Sequence, residues 1–308
     1  MQSGSVFHRR GFVPGWRLAL AAAASLVLVG CSNPLKGMLD GGDSDTMAAS
    51  AGGALSPDMS AANDGAAVAQ LYNDGLARLN DGSYKQAAKK FSEVERKYPY
   101  SQWATKALLM QAFANYQRNA YDDAINAGQR FISLHPGHRD TPYAYYLVAL
   151  SNYEQINDVK RDQSQTQKAL DALDEVQKRF PESPYAADAA KKAAVARDHL
   201  AGKEMEVGRY YVKRGDYLAG INRFKRVVTD YQTTSHTPEA LYRLTESYTA
   251  LGVASEAQTA AAVLGHNYPN SQWNQDAYNL VANGGQAPVE NEASWISKAF
   301  RSLNPLAN

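Results

Sequence analysis

The chain has 308 residues, with 32 Lys and Arg against 31 Asp and Glu, and a single cysteine, Cys31. This length allows either two ordinary domains or one long solenoid. The balanced charge, without a basic block, excludes an electrostatic nucleic-acid surface, and a lone cysteine excludes an internal disulfide.

The first thirty residues have the pattern of a secretory signal peptide. Three arginines precede an apolar, alanine-rich run from Leu18 to Val29, which is too short for a comfortable spanning helix. The run leads into Leu-Val-Gly-Cys, which resembles the bacterial lipobox. We therefore predict a signal peptide at 1–30 and lipidation of Cys31. The alternatives are a plain secretory signal with a chance cysteine and a single anchor helix.

Residues 31–65 are predicted to form a lipidated tether. The stretch is rich in Gly, Ser, Ala and Asp and has almost no large apolar residue, so it cannot bury enough surface to fold. As a flexible coil it would reach about 30 Å on average. Ser32, rather than aspartate, follows Cys31; by resemblance to enterobacterial sorting rules, this favours a lipid anchor in the outer membrane, with the folded part facing the periplasm.

A short sequence motif, an aromatic residue followed by proline and then serine, occurs three times. It reads Tyr-Pro-Tyr-Ser-Gln-Trp at 98–103, Phe-Pro-Glu-Ser-Pro-Tyr at 180–185 and Tyr-Pro-Asn-Ser-Gln-Trp at 268–273. Proline ends a helix, and the following serine is a preferred N-cap of the next one. Each copy therefore predicts a helix-to-helix joint. At a fourth place Gln232 stands where the proline would be.

Helical periodicity divides the middle of the chain into hairpins. The first unit has one helix over 66–79, a break at Asp81-Gly82, and a second helix from Tyr84 to Tyr98, about the 34 residues of a tetratricopeptide repeat. We predict an all-α tetratricopeptide-repeat solenoid of about five hairpins, with N-terminal repeats at 66–140, C-terminal repeats at 141–282 and a capping helix at Gln272–Ala282. The second helices begin near Tyr84, Tyr121, Thr166, Tyr217 and Ala254.

Two intervals between units are longer than a standard repeat. The polar stretch Asn157–Gln167 predicts an extended loop, and Tyr185–Gly215 predicts one long helix or two helices bent near Gly202. The pairs Thr141-Pro142 and Thr237-Pro238 are typical of an N-cap followed by proline at the first helical position.

The tail, residues 283–308, contains a possible short amphipathic helix. Trp295, Ile296, Phe300 and Leu303 share one helical face. The tail either stays loosely ordered or packs on its own array, or else it binds a partner or a membrane surface.

No catalytic constellation stands out, so we expect neither enzymatic activity nor a cofactor. His135 and His138 flank a Pro-Gly turn without nearby cysteine or acidic ligands other than Asp140, which favours a surface turn over a zinc site. No glycine-rich phosphate loop is present. The remaining candidate is the groove of the array, which suits an extended peptide or the edge of a partner.

Five passages resemble the BamD family, also called ComL or YfiO, which are lipoproteins of the machine that inserts β-barrels into the bacterial outer membrane. The resemblance runs from the lipobox to about residue 282. The passages are Tyr-Pro-Tyr-Ser at 98–101, His-Pro-Gly-His through Tyr-Ala-Tyr-Tyr at 135–146, Val-Lys-Arg-Asp at 159–162, Arg-Phe-Pro-Glu-Ser through Asp-Ala at 179–189, and Gly-Arg-Tyr-Tyr through Asn-Arg at 208–223.

The resemblance implies both partners and site residues. In the family, N-terminal repeats recognise the targeting strand of unfolded β-barrel substrates, and Tyr98 and Lys85 align with positions given that role. Lys85 replaces an arginine, which keeps the charge but loses the bidentate fork. The C-terminal repeats dock on the barrel subunit BamA, and Arg223 lies in the matching segment. The implied partners are BamA and other Bam subunits, unfolded outer-membrane proteins, and the membrane through the lipid anchor, with no nucleic acid.

Two other functions are considered. One is a tetratricopeptide adaptor lipoprotein of cell division or of the Tol system, although residues 32–65 lack the heptads of the coiled coil that such relatives usually carry. The other is an envelope hydrolase that uses the His135 turn.

Overall fold

The computed structural model describes residues 59–301, which form helices connected by short turns. No strand occurs within this part of the chain, so the predicted all-α class is confirmed. The helices are α1 Met59–Asn80, α2 Tyr84–Lys97, α3 Gln102–Gln117, α4 Tyr121–Leu134, α5 Thr141–Tyr153, α6 Ser164–Arg179, α7 Ala186–Lys213, α8 Tyr217–Asp230, α9 Thr237–Ala250, α10 Ala254–Asn267, α11 Gln272–Asn283 and α12 Trp295–Arg301.

The helices stack as five consecutive hairpins. Each helix from α1 to α11 packs against the next, and the first helices of the first three hairpins also pack on the first helix of the following unit: α1 on α3, α3 on α5 and α5 on α7. Helix α11 extends this series on α9, as expected of a cap on the last repeat. The packing is that of a tetratricopeptide-repeat solenoid, as predicted.

Glycines allow the two helices of a hairpin to approach closely. A Cβ on Gly75 would lie 2.7 Å from the ring of Phe91, and one on Gly208 would lie 2.4 Å from the ring of Phe224. Both phenylalanines are fully buried. The first and fourth hairpins therefore interlock through the same glycine–phenylalanine contact.

The helix joint predicted from three copies occurs five times. Each second helix ends in a residue with φ between −131° and −134°, whose backbone N–H donates to the carbonyl four residues earlier. Two of the predicted serine caps form: the side-chain oxygen of Ser101 accepts from Ala104 N–H at 3.2 Å, and that of Ser271 accepts from Trp273 N–H at 3.3 Å. The end-of-helix residues are Tyr98, His135, Phe180, Tyr231 and Tyr268.

The second copy of the motif, at residues 180–185, does not form the predicted serine cap. Helix α7 begins at Ala186, and the side-chain oxygen of Ser183 is buried without a hydrogen-bond partner. Tyr185 is the N-cap of α7, so Ser183 lies two residues before the cap position, and the Ala186 N–H bonds to the backbone carbonyl of Ser183 at 3.1 Å.

The two threonine–proline pairs also differ from the prediction. Thr141 and Thr237 are the first helical residues rather than N-caps. Their hydroxyls donate backwards, from Thr141 to the His135 carbonyl at 2.8 Å and from Thr237 to the Gln232 carbonyl at 2.9 Å. These buried hydroxyls satisfy carbonyls at the end of the preceding helix, which the last turn of a helix leaves without partners.

The two long intervals are an extended loop and one continuous helix. The loop occupies residues 154–163, because α6 starts at Ser164, slightly before the predicted end of the loop. Helix α7 runs without interruption through Gly202. A Cβ there would lie 3.2 Å from Nε2 of His236 and 3.6 Å from Val159, so this glycine makes room for the loop and the α9 start.

The array begins earlier than predicted. Helix α1 starts at Met59, so residues 59–65, which the composition assigned to the tether, are helical instead. The stretch is rich in alanine, the best helix former, which a count of small and polar residues does not separate from a flexible coil. The signal peptide, Cys31, the tether as far as residue 58, and Leu303 lie outside the described residues.

The structure decides between the alternatives for the tail. Helix α12 packs on α10 and α8, with Ile296 and Ser297 fully buried. The tail therefore docks on its own array. Among the helices of residues 59–301, none combines the length and the apolar character needed to cross a membrane.

Candidate functional site: two grooves in the same register

The N-terminal repeats enclose an open groove between α2, α3 and α4. Its volume is about 450 Å³. Lys85, a predicted substrate-binding residue, lies on its α2 wall. The lining residues are Lys85, Ala88, Lys89 and Ser92 of α2, Leu108, Gln111, Asn115 and Arg118 from α3 and its C-cap, and Asp123, Asn126, Ala127 and Arg130 of α4.

The charges of this α2–α4 groove are mostly positive. Arg118 pairs with Asp123 at 2.5 Å, and Arg130 pairs with Glu95 at 2.7 Å. Lys85 and Lys89 are exposed and form no ion pair with any residue in the described range. Two ammonium groups are therefore available for an incoming carboxylate.

The floor of the α2–α4 groove also carries an unpaired acceptor. The side-chain oxygen Oε1 of Gln111 is buried, and no group within residues 59–301 donates to it. A buried acceptor without a donor is costly. A ligand with an N–H or O–H at this point would satisfy it, so the groove offers both cationic and hydrogen-bonding contacts.

The C-terminal half of the array repeats the N-terminal half without a gap. The segment from the last turns of α1 to the end of α4 aligns with the segment from the last turns of α7 to the end of α10. We call this alignment, in which Gly75 matches Gly208, the half-array shift. This half-array shift aligns glycine with glycine, tyrosine with tyrosine and phenylalanine with phenylalanine. The further matched pairs include Gly82 and Gly215, Tyr84 and Tyr217, Phe91 and Phe224, and Leu108 and Leu241.

The matching groove between α8, α9 and α10 is filled by the tail. Trp295 donates its indole N–H to the hydroxyl of Tyr248 at 3.2 Å, and the ammonium of Lys225 lies 4.9 Å from the centre of its ring. Ser294 donates to Glu256 at 2.6 Å. The N–H of Asn291 donates to the hydroxyl of Thr259 at 3.2 Å.

The residues that hold the tail occupy the same positions as residues that line the open groove. In the half-array shift, the four residues that contact the tail in the α8–α10 groove align with four residues that line the α2–α4 groove. The open groove is therefore the counterpart of one that already binds a peptide segment of this chain. The pairs are Lys225 and Ser92, Tyr248 and Asn115, Glu256 and Asp123, and Thr259 and Asn126.

The two grooves differ in chemistry at their rims. Lys85, Lys89, Arg118 and Arg130 of the α2–α4 groove are replaced in the α8–α10 groove by uncharged or apolar residues. The N-terminal groove is thus suited to a segment with acidic groups, and the C-terminal groove to an apolar one. The replacements are Leu218, Asn222, Leu251 and Val263, in the same order.

The structure does not bring Tyr98 and Lys85 into one groove. Tyr98 lines a separate cleft of about 330 Å³ between α1 and α2, together with Leu71, Asp74 and Lys97. The two residues lie at opposite ends of α2, about 20 Å apart along its axis. Tyr98 also ends α2 in the backbone geometry shared by all five joints, each of which has a tyrosine, phenylalanine or histidine at this position.

Arg223 is part of an ion-pair cluster on the other side of α8. Its guanidinium lies 3.2 Å from the carboxylate of Glu204 on α7, and that of Arg226 lies 2.5 Å from the same carboxylate. Glu204 is only 8% exposed. The two arginines therefore compensate a buried charge, whose isolation would be costly, and both remain partly open to solvent.

The histidine turn has a packing role. The rings of His135 and His138 both contact Phe131, with centroids 5.3 and 5.5 Å away. Burial, and then the neighbouring His138, hold the pKa of His135 below its usual range. Within the described residues, no group of three His, Cys, Asp or Glu side chains could hold a metal ion.

The sequence analysis missed the α8–α10 groove and its occupant. Gln232, noted only as a missing proline, donates its amide to the Ala299 carbonyl at 3.0 Å and is 8% exposed. A second signal was the half-array shift itself, which places this glutamine on Pro99. The residue that departs from the repeated joint sequence, Gln232, is thus one that binds the tail.

These features define a class of protein: a tetratricopeptide-repeat scaffold with peptide-sized grooves. Comparison with known proteins gives the family. The model of the family described as "YfiO: Outer membrane lipoprotein" matches residues 64–264. The chain belongs to this family, which confirms the resemblance to BamD, and it is accordingly a non-catalytic scaffold.

Curated relatives bear the name outer membrane protein assembly factor BamD. The protein of Caulobacter vibrioides is 48% identical over 222 residues, covering 72% of this chain and 73% of the relative. That of Rickettsia prowazekii is 46% identical, covering 71% and 87%. That of Neisseria meningitidis serogroup A is 36% identical, covering 66% and 80%.

Solved structures that resemble the chain are tetratricopeptide-repeat proteins at low identity. A complex of the TPR2AB domain of yeast Sti1 is 11% identical with a TM-score of 0.35, covering 78% of this chain and 99% of that one. PilW, a type IV pilus biogenesis factor, is 15% identical with a TM-score of 0.30, covering 68% and 97%.

Proposed function

We propose that the protein is a non-enzymatic scaffold in the assembly of outer-membrane proteins. Cys31 anchors it by lipid to the outer membrane, facing the periplasm. The N-terminal repeats at 66–140 receive a segment of an unfolded β-barrel protein, and the C-terminal repeats at 141–282 bind BamA. Membership of the YfiO family and the names of the curated relatives support this function over an adaptor of cell division or of the Tol system.

One observation carries the substrate-binding part of the proposal. The α2–α4 groove is open, and its counterpart in the C-terminal half holds a peptide segment through side chains at the same four positions. A groove of this design accepts a short segment in one half of the array. The α2–α4 groove has the same design but holds no segment of residues 59–301, so it is suited to a segment from another protein.

The charges of the groove define the segment that it would take. Lys85 and Lys89 have no acidic partner in the described part of the chain, and charge-assisted hydrogen bonds to a carboxylate are among the stronger polar contacts. A chain end or an acidic side chain of the substrate would meet these lysines. Tyr98, in its own cleft beyond α2, would contact a more distant part of a long substrate.

Arg223 is proposed to contact BamA through its exposed edge. Its side chain is 38% exposed while it pairs with Glu204. The pairing holds the guanidinium in one place, which lowers the entropic cost of binding a partner. Arg226, on the same carboxylate, would present a second cation to an acidic partner surface.

Site-specific photocrosslinking in cells tests the substrate site. A crosslinking amino acid at Lys85 is expected to capture unfolded outer-membrane proteins. The same group at Lys178, an exposed lysine of α6 outside the groove, serves as the matched control. Equal capture at both positions would contradict a substrate site in the α2–α4 groove.

Purification of the protein from solubilised membranes tests the partner and the anchor. The wild-type chain is expected to retain BamA, and Arg223→Ala, which leaves Arg226 paired with Glu204, is expected to weaken this retention while keeping the helical content. Metabolic labelling with palmitate should mark the wild type but not Cys31→Ser. A wild-type complex without BamA would refute the assignment of the C-terminal repeats.

A further inference from the structure

The tail is held in the α8–α10 groove by the type of contact that proteins use to bind peptides. Side chains of the array bond to the main chain of the tail: the Gln232 amide donates to the Ala299 carbonyl at 3.0 Å, and the Thr259 hydroxyl accepts from the Asn291 N–H at 3.2 Å. These two bonds grip the segment near both ends. Main-chain recognition of this kind fixes the register of a ligand.

Apolar anchors lie between the two main-chain contacts. Ile296 is fully buried, Trp295 packs between the Lys225 ammonium and the Tyr248 hydroxyl, and the ring of Phe300 meets Tyr268 edge-on at 6.4 Å between centroids. An aromatic, an apolar residue and a second aromatic at fixed spacing are typical of a helical segment bound in a groove.

The bound form of the tail depends on the groove. A helix of seven residues is too short to be stable by itself in water. Its first turn is closed by Ser294, whose oxygen accepts from the Ile296 N–H at 3.1 Å while the hydroxyl donates to Glu256 of α10. The segment that leads to it is exposed, as is Val289 at 60%.

The N-terminal half of the array has an equivalent groove without a segment of residues 59–301 in this position. The α2–α4 groove has the same register and remains open among the described residues. The fit of the tail is also incomplete, since the hydroxyl of Ser297 is fully buried without a hydrogen-bond partner. A buried hydroxyl without a partner weakens the association, which favours exchange.

We propose that the α8–α10 groove is a second peptide-binding site and that residues 291–301 are its intramolecular ligand. The site takes a short helical segment of a partner protein that presents a serine cap followed by tryptophan, isoleucine and phenylalanine at the spacing of Ser294, Trp295, Ile296 and Phe300. Such a segment displaces the tail. This site is separate from the proposed substrate groove and goes beyond the proposed function.

Cutting the tether of the tail tests whether the tail is a ligand. A protease site is inserted between Pro288 and Val289 of the full chain, and after cleavage a fluorescent peptide of residues 286–301 is added. The peptide is expected to bind saturably, measured by anisotropy, as the cut tail leaves. Ile296→Asp in the peptide should weaken binding about a hundredfold, because it buries a charge. Val289→Asp, at an exposed position, should change it less than about threefold.

A host peptide tests the stated ligand chemistry. It keeps Asn291, Ser294, Trp295, Ile296 and Phe300 and has alanine or lysine elsewhere, and it should compete with the labelled tail. Failure to compete would overturn the proposed pattern. The proposal is also overturned if the cut tail never exchanges, or if its release abolishes hydrogen-exchange protection in α9 and α10, since the tail would then be part of the core. None of these outcomes bears on crosslinking from Lys85.

Discussion

Single residues decide which surfaces of this array are occupied. Gln232 takes the place of a proline and donates an amide that proline lacks, and this amide holds the tail. Tyr146 of α5 likewise donates to Asp188 of α7 at 2.5 Å, and Lys192, one turn along α7, holds the same carboxylate at 2.7 Å. Local substitutions thus set contacts between segments that are distant in the chain.

The bond between Tyr146 and Asp188 gives a pH-dependent contribution to stability. Burial opposes the charged form, but hydrogen bonds from Lys192 and Tyr146 outweigh it and hold the pKa of Asp188 below its usual range. The stabilisation is therefore fully present above the ordinary carboxyl pKa of about 4 and is lost as the pH falls through the lower, folded-state pKa.

Tyr146→Phe should raise the pKa of Asp188 and destabilise the fold near pH 7. The cost is at most about 1 kcal/mol, reduced by solvent screening because the Asp188 side chain is 43% exposed. Urea unfolding between pH 7 and pH 3 measures it, and the difference from wild type should shrink at the acid end. Tyr145→Phe is the control, since its ring packs on Phe180. A pH-independent difference would contradict this explanation.

At the scale of the elements, one joint geometry connects all five hairpins, but its cap chemistry varies. Ser101 and Ser271 cap with their side chains, whereas Ser183 does not. The repeat of this motif therefore predicted the helix ends correctly, and it predicted the cap only where the next helix begins directly after the serine.

Replacing the two serines with alanine should separate these roles. Ser101→Ala loses a cap and should destabilise the protein by about 1 kcal/mol. Ser183→Ala removes a buried hydroxyl without a partner, so it should be neutral or slightly stabilising. Thermal and urea unfolding of both variants measure the difference. Equal losses would show that Ser183 also acts as a cap.

At the scale of the described array, residues 59–301, the N-terminal and C-terminal halves match in sequence, but one groove is open and the other holds the tail. Each hairpin contacts mainly its neighbours, so stability is expected to be local, as in other solenoids. The glycine–phenylalanine contact occurs once in each half, at Gly75 with Phe91 and at Gly208 with Phe224. This duplication allows one half to be perturbed at a time.

Overpacking either glycine should loosen only its own half. Gly75→Val and Gly208→Val each place atoms against a buried ring and should cost about 1–3 kcal/mol. Hydrogen exchange should rise in α1 and α2 for the first variant and in α7 and α8 for the second. Gly65→Val, where a Cβ meets nothing within 4 Å, is the control. Global loss of protection in both variants would contradict local stability.

The sequence by itself determined the helices, their pairing and the family. Helix starts and stops depend on residues a few positions apart, such as Tyr98, Pro99 and Ser101, so periodicity and joint chemistry predict most of them, although not the start of α1. The hairpin order then follows, because consecutive helices with short connections pack side by side.

Only the tertiary structure decided which grooves are open and which residues share them. The Gln232–Ala299 bond joins residues 67 positions apart, and no local pattern specifies such a contact. For the same reason, alignment to a family could not show that Lys85 and Tyr98 face different clefts, since their separation depends on how α1, α3 and α4 pack around α2. Packing between distant segments, rather than local propensity, defines the sites of this protein.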